Sequence, residues 1–161
     1  MANHVSTYIN FQNITDGGKD HLNRISADWD WKGNDLGPKW CYIEDASDDY
    51  IMLVSAWSYP RDGIEKLIET LAETDPNIKA NITYQDEMPN FFGCAVITAE
   101  GIIDEVEWQW EELVEHLHRE VSGLKEHWDE EEEDWDEEGR EIMNDHLWEC
   151  INDLQADWFV E

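Results

Sequence analysis

Forty Asp and Glu stand against ten Lys and Arg, a formal net charge of -30, and any fold of this chain must satisfy that constraint. Compaction brings like charges together, so acids must go to water and apolar residues to an interior, with little mixing. The chain has the means to do this. Hydrophobic residues make up 41% of it and ten are tryptophans, unlike the weakly hydrophobic polyanions that stay unfolded. Its 161 residues suffice for one core, or one core and an extension.

Apolar spacing predicts the elements. Val5, Thr7, Ile9 and Phe11 alternate with Ser6, Tyr8 and Asn10, which is strand periodicity. Thr15 and Asp16 are cap residues for a helix carrying Leu22 and Ile25. Residues 28–38 hold Gly33, Asn34, Asp35, Gly37 and Pro38 and read as a loop. Strands over 39–43 and 50–57, joined by a turn at 45–49, predict a hairpin. After Pro60, Ile64, Leu67, Ile68 and Leu71 fall at i, i+3, i+4 and i+7, one buried face of a helix. Ile78, Ala80, Ile82 and Tyr84 alternate as a strand; Met88-Pro89-Asn90 marks a turn, and 91–98 is a further strand. Past the turn at 99–101, Ile102, Val106, Trp108 and Trp110 fall on one side of a strand, although a helix starting at Asp104 competes with it. Leu113, Leu117, Val121 and Leu124 then predict a helix ending near Gly123. Ile142, Met143, Leu147, Ile151, Leu154 and Trp158 predict a last one. Between these two helices, residues 129–138 are all acidic except Trp135. Like charges four apart weaken a helix by a few tenths of a kcal/mol per pair, so an acidic loop or a frayed helix is expected there.

The strand, helix, hairpin, helix, strand, strand order is close to that of a ferredoxin-like sandwich. The segment Leu53-Val54-Ser55-Ala56-Trp57-Ser58-Tyr59-Pro60 with its following helix, Tyr84-Gln85-Asp86-Glu87, and Phe92-Gly93 with Gly101 resemble the YubB-type ferredoxin-like family of plasmid and bacteriophage proteins. The resemblance covers about residues 1–110. That family often opens on proline-asparagine-tryptophan-cysteine, of which only Asn3 remains here, and it has no catalytic residues to transfer. It implies a fold and a mobile-element origin. The expectation is an α+β protein: a ferredoxin-like antiparallel sheet with helices on one face over residues 1–110, followed by an acidic helical C-terminal extension over 111–161, packed on it.

The sign of the charge limits the partners. Nucleic acid needs Lys and Arg against its phosphates, and an anionic membrane surface is disfavoured for the same reason. No apolar run approaches the roughly 20 residues of a membrane span. Met1-Ala2-Asn3-His4 has neither a basic nor an apolar stretch, so no signal peptide is expected and the host cytoplasm is the expected location. Cys41, Cys94 and Cys150 are odd in number and far apart, which fits reduced thiols and neither a disulfide framework nor a zinc site.

Sites have to be weighed against the background of carboxylates. His116 and His118 lie near Glu112, Glu115 and Glu120; Glu112 and His116, four apart, share a helix face and have the chemistry to hold a divalent cation, but among so many glutamates such pairs arise by composition, and a solvated helix surface is expected. No metal or cofactor is assigned. Glu105 and Glu107 could serve as general acid and base, yet with forty carboxylates any spacing occurs somewhere. Asp16-Gly17-Gly18-Lys19 lacks the spacing of a phosphate loop, and Cys94 is expected buried and inert. No enzyme is expected.

The charge is concentrated. Residues 101–161 carry 23 acids and 3 bases, Arg119, Lys125 and Arg140, a net of -20. Trp128 and Trp135 interrupt the acidic run, and two readings compete: each packs on the helices nearby, or each anchors a basic partner, since tryptophan is enriched in binding hot spots and attracts cations through its ring face. Trp108, Trp110, Trp148 and Trp158 are expected in the core. The candidate partner surface is Trp128, Asp129, Glu130, Glu131, Glu132, Glu133, Asp134, Trp135, Asp136, Glu137 and Glu138. Duplex DNA carries one charge per about 1.7 Å of axis, and a helix rises about 1.5 Å per residue, so an acid-rich surface can match that density. The expected function is a nucleic-acid mimic that inhibits a basic host protein: a restriction enzyme, a CRISPR effector, another nuclease or RNA polymerase. The competing expectation is an accessory protein of a mobile element whose acidity serves solubility alone. Homodimerisation is left open.

Overall fold

The alternation near the N-terminus forms strand β1 (His4–Gln12), with Val5, Thr7, Ile9 and Phe11 buried. It lies inside a six-stranded antiparallel sheet in a computed structural model that describes residues 4–28, 41–86 and 90–155, with side chains described outside 25–28 and 147–155. The expected loop at 28–38, the start of the expected 39–43 strand, Met88 and Pro89, and Trp158 fall outside the described residues, apart from Asp28, Cys41, Tyr42 and Ile43. The side chain of Trp148 does so too.

Among the described residues the architecture is α+β, with four α-helices. After β1 come α1 (Asp16–Asp28), β2 (Tyr42–Ser47), β3 (Tyr50–Ala56), α2 (Arg61–Ala72), β4 (Lys79–Asp86), β5 (Phe91–Thr98) and β6 (Gly101–Gln109). The strand order is β2-β3-β1-β4-β5-β6. β1 pairs antiparallel with both β3 and β4, so Thr7 lies between Leu53 and Tyr84. Helix faces and strand faces meet in one core: Leu22 of α1 and Ile64, Leu67, Ile68 and Leu71 of α2 cluster with Val5, Ile9, Leu53, Ile82 and Ile97. Both helices therefore cover the same side of the sheet. Burying each such aliphatic side chain contributes about 1.5–3 kcal/mol. That is the return on the periodicity at 64–71, and it offsets the self-repulsion of the acids.

Local chemistry fixes the joints. Thr15 Oγ1 accepts from the Gly18 amide at 3.3 Å and donates to Asp75 Oδ1 at 2.7 Å, tying the start of α1 to the turn that follows α2. The hairpin turn between β2 and β3 is shorter than expected, only Asp48-Asp49, because pairing extends to Ser47↔Tyr50. β2 is one edge of the sheet. It is largely exposed, carries Glu44 and Asp45, and shifts register between Ile43 and Asp45, features that keep an open edge from pairing with another chain. Residues 102–109 are strand, and the rival helix begins only at Trp110.

The chain divides into two compact units, Met1–Glu107 and Trp108–Glu161. The second contains α3 (Trp110–Glu120), a 3-10 turn (Leu124–His127), the two-residue strands β7 (Trp128–Asp129) and β8 (Asp134–Trp135), and α4 (Glu137–Gln155). Residues 129–138 are thus neither an acidic loop nor a frayed helix. They form most of a tight antiparallel hairpin followed by the first turn of α4. The hairpin overcomes the repulsion because Trp128 and Trp135 are directly opposed, and such aromatic cross-strand pairs stabilise a sheet. Its four-glutamate turn closes with Glu133 at φ 53°, while Asp129 Oδ1 accepts from the amides of Glu131 and Glu132 at 2.9 and 3.2 Å. Among the described residues no helix is long and apolar enough to cross a membrane.

Candidate functional site

The second unit is organised around aromatic rings. Trp128 and Trp135 meet edge to face with ring centroids 5.1 Å apart, and Trp110 from the first turn of α3 meets the Trp135 ring at 5.5 Å. His118, two turns further along α3, packs edge to face with Trp128 at 5.3 Å and with Trp135 at 5.5 Å. The Trp135 indole N–H donates to His118 Nε2 at 2.9 Å. An indole nitrogen can only donate, so Nε2 is unprotonated and the ring is held as its Nδ1–H tautomer. Burial, and then the charge of Lys125, push the His118 pKa below its usual value, which agrees with that role.

Around this cluster the acids have assigned tasks. Asp134 takes a bidentate pair with Arg140, Nε lying 3.0 and 3.1 Å from its two oxygens. Asp136 caps α4: its Oδ1 accepts from the Gly139 amide at 2.8 Å, and its Oδ2 faces His127 Nδ1 at 3.1 Å. The bond from Gly139, then His127, hold Asp136 below the usual carboxylate range, while Asp136 raises the pKa of His127. A Cβ at Gly139 would lie 2.6 Å from His127 Cβ and 2.8 Å from Trp135 Cβ, so only glycine lets the hairpin and the helix start approach this closely.

Of the residues singled out from the sequence, then, Trp135 is buried, Trp128 and Asp134 are half-buried, and Asp129 and Asp136 are exposed but spent on backbone amides. Glu130, Glu131, Glu132, Glu133, Glu137 and Glu138 stand exposed, the first four on the hairpin turn and the last two on the first turn of α4. Trp108 and Trp110 are half-buried instead of fully interior. Trp110, Val114 and His118 share one face of α3, and with Trp128, Glu111, Glu115, Glu130 and Glu133 they line a groove of about 730 Å³. From the sequence His118 was expected on a solvated helix surface and Trp110 in the core, so the groove wall that they share was missed. The i, i+4, i+8 spacing of Trp110, Val114 and His118 was the available signal.

Glu112 is exposed, and His116 packs its ring on Trp108 at 4.5 Å with its Nδ1 3.5 Å from Arg119. Among the described residues no group of three or more His, Cys, Asp or Glu side chains is disposed to hold a metal ion.

The first unit contains a second polar constellation. Tyr59 stacks on Tyr84 at 4.1 Å. Their hydroxyls donate to Glu105 at 3.1 Å and Glu107 at 3.0 Å, and Arg61 pairs with Glu105 at 2.7 Å. Burial, reinforced by these carboxylates, pushes both phenols far above their usual range, so neither is a nucleophile or a base at neutral pH. Glu105 and Glu107 are thus held in place by tyrosines. The bend that delivers Tyr59 is tight: the Ser58 amide bonds Ala56 O at 2.8 Å across Trp57, which sits at φ 67° and is 56% exposed. Cys94 is fully buried, and burial pushes the half-buried Cys41 thiol up to about 12, so neither thiol is reactive.

The chain matches no protein-family profile, no curated protein and no solved structure.

Proposed function

We propose that this protein is a non-catalytic acidic binding module that occupies a nucleic-acid-binding surface of a basic partner protein, as a phage- or plasmid-encoded inhibitor would. The observation that carries the reading is the hairpin turn Glu130–Glu133. Four consecutive exposed carboxylates sit on an ordered scaffold whose neighbouring acids, Asp129, Asp134 and Asp136, are used to build it. A solubilising charge needs no such support, whereas carboxylates carried on an ordered backbone lose less entropy on binding than those of a floppy loop. Arg140 is consumed by Asp134, which leaves the turn strongly negative.

The ferredoxin-like reading belongs to the same proposal. The order β2-β3-β1-β4, antiparallel throughout and with α1 and α2 on one side, supports it, with β5 and β6 appended beyond β4. The C-terminal acidic unit is the part that we assign to the partner.

Long-range attraction of this kind speeds association and weakens with salt. The protein, immobilised and exposed to bacterial lysate at low salt, is expected to retain nucleic-acid-binding proteins that added duplex DNA releases. Retention of only neutral or acidic proteins, or indifference to DNA, would refute the reading in favour of an accessory role with charge for solubility.

A further inference from the structure

The groove beside the acidic turn carries a more specific statement, which rests on the proposed binding of a basic protein. We infer that this groove receives one arginine side chain of the partner, its guanidinium laid on the tryptophan wall. The half-buried rings of Trp110 and Trp128 line the groove, 6.3 Å apart between centroids and inclined at 36°. Each packs edge to face with Trp135, so they form a fixed surface. A fixed indole face attracts a cation, and a planar guanidinium stacks on it while its N–H fork remains available to carboxylates.

Carboxylates come from both rims. Glu111 and Glu115, one turn apart on α3, line one part, and Glu130 and Glu133, at the ends of the hairpin turn, line another; all four are exposed. Arg119 and Lys125 also line the groove. Arg119 lies 3.6 Å from Glu120, which engages part of its charge. The groove therefore combines an aromatic wall, an excess of carboxylates and a volume of about 730 Å³, ample for one long side chain. Arginine is favoured over lysine because a compact, strongly hydrated ammonium gains less from a flat wall with carboxylates at its edges.

The test titrates the full chain with hexa-arginine and hexa-lysine peptides at 0.15 M salt, following tryptophan emission and heat. Hexa-arginine is expected to bind about tenfold more tightly. Trp128→Leu is expected to remove that preference. Glu111→Gln with Glu115→Gln, at exposed positions outside the hairpin, should weaken hexa-arginine binding several-fold without changing the fold. Neutralising four exposed acids of the first unit (Glu44, Asp62, Glu73 and Glu100) should leave the preference intact. Equal affinity for the two peptides, or losses that follow total charge alone, would overturn the inference. Arginine-selective binding without any DNA-releasable partner would leave the groove assignment standing and refute the proposed function. DNA-releasable capture that survives both groove variants would do the reverse.

Discussion

Trp135 and His118 are joined by a hydrogen bond of 2.9 Å in which the indole donates and Nε2 accepts. The two residues lie on different elements, β8 and α3, and the bond sets the protonation state that the acidic hairpin requires. A protonated imidazole would present N–H against N–H.

Acid should therefore loosen the hairpin. His118 has a folded pKa below its unfolded value of about 6.5. Its contribution is fully present above that unfolded value and is lost as pH falls through the folded one. His127, raised by Asp136, works in the opposite sense: its contribution is present below about 6.5 and is lost as pH rises through its folded value. Tryptophan near-UV dichroism should fade on acidification below pH 6.5. His118→Asn, which can accept the indole bond without titrating, should abolish that fade; if the variant fades identically, the bond is not the sensor.

Gly93 is demanded by Tyr84. A Cβ there would lie 2.5 Å from the Tyr84 hydroxyl, 2.6 Å from Cζ and 2.6 Å from the Val106 carbonyl. Gly93→Ala should cost at least about 1–3 kcal/mol, as overpacking does, read as a lower urea midpoint. Tyr84→Phe in the same chain should not rescue it, because the ring carbon and the Val106 carbonyl remain.

Thr7 is fully buried and its hydroxyl has no hydrogen-bond partner. An unsatisfied buried polar atom costs about 1–3 kcal/mol, and an isosteric apolar replacement removes that cost. Thr7→Val should raise the melting temperature by several degrees; a fall would show that the hydroxyl is satisfied.

Trp57 holds a positive φ that favours glycine. Trp57→Gly should be more stable than Trp57→Ala by about 1 kcal/mol, by chemical denaturation of the two variants. Equal stabilities would mean that the turn relaxes once the indole is removed.

Much of the first unit was legible because its signals are local. The 3.6-residue spacing at Ile64–Leu71 and the alternations at Val5–Phe11 and Ile78–Tyr84 each report one face of one element. The β2–β3 turn was placed too wide because its acids suggested a longer loop, whereas the pairing partners set its length. The acidic run was misread for a related reason. Neighbouring charges argued against regular structure, while its order comes from Trp128 and Trp135 meeting across the turn and from His118 and Trp110 on a helix many residues earlier. The same distance in sequence hid the partnership of Glu105 and Glu107 with Tyr59 and Tyr84. Tyr59, Tyr84 and Gly93 lie in the three segments that carried the family resemblance, yet only the folded sheet stacks the rings and sets the Tyr84 hydroxyl over the glycine.

On the proposed function, the ordered turn Glu130–Glu133, and not charge in general, binds the partner. The most direct measurement compares two variants with equal charge change in the low-salt capture from lysate. One carries Glu130→Gln, Glu131→Gln, Glu132→Gln and Glu133→Gln; the other carries Glu44→Gln, Asp62→Asn, Glu73→Gln and Glu100→Gln. DNA-releasable proteins are expected to be lost from the first and retained by the second. Equal retention, or equal loss, by the two would contradict that function.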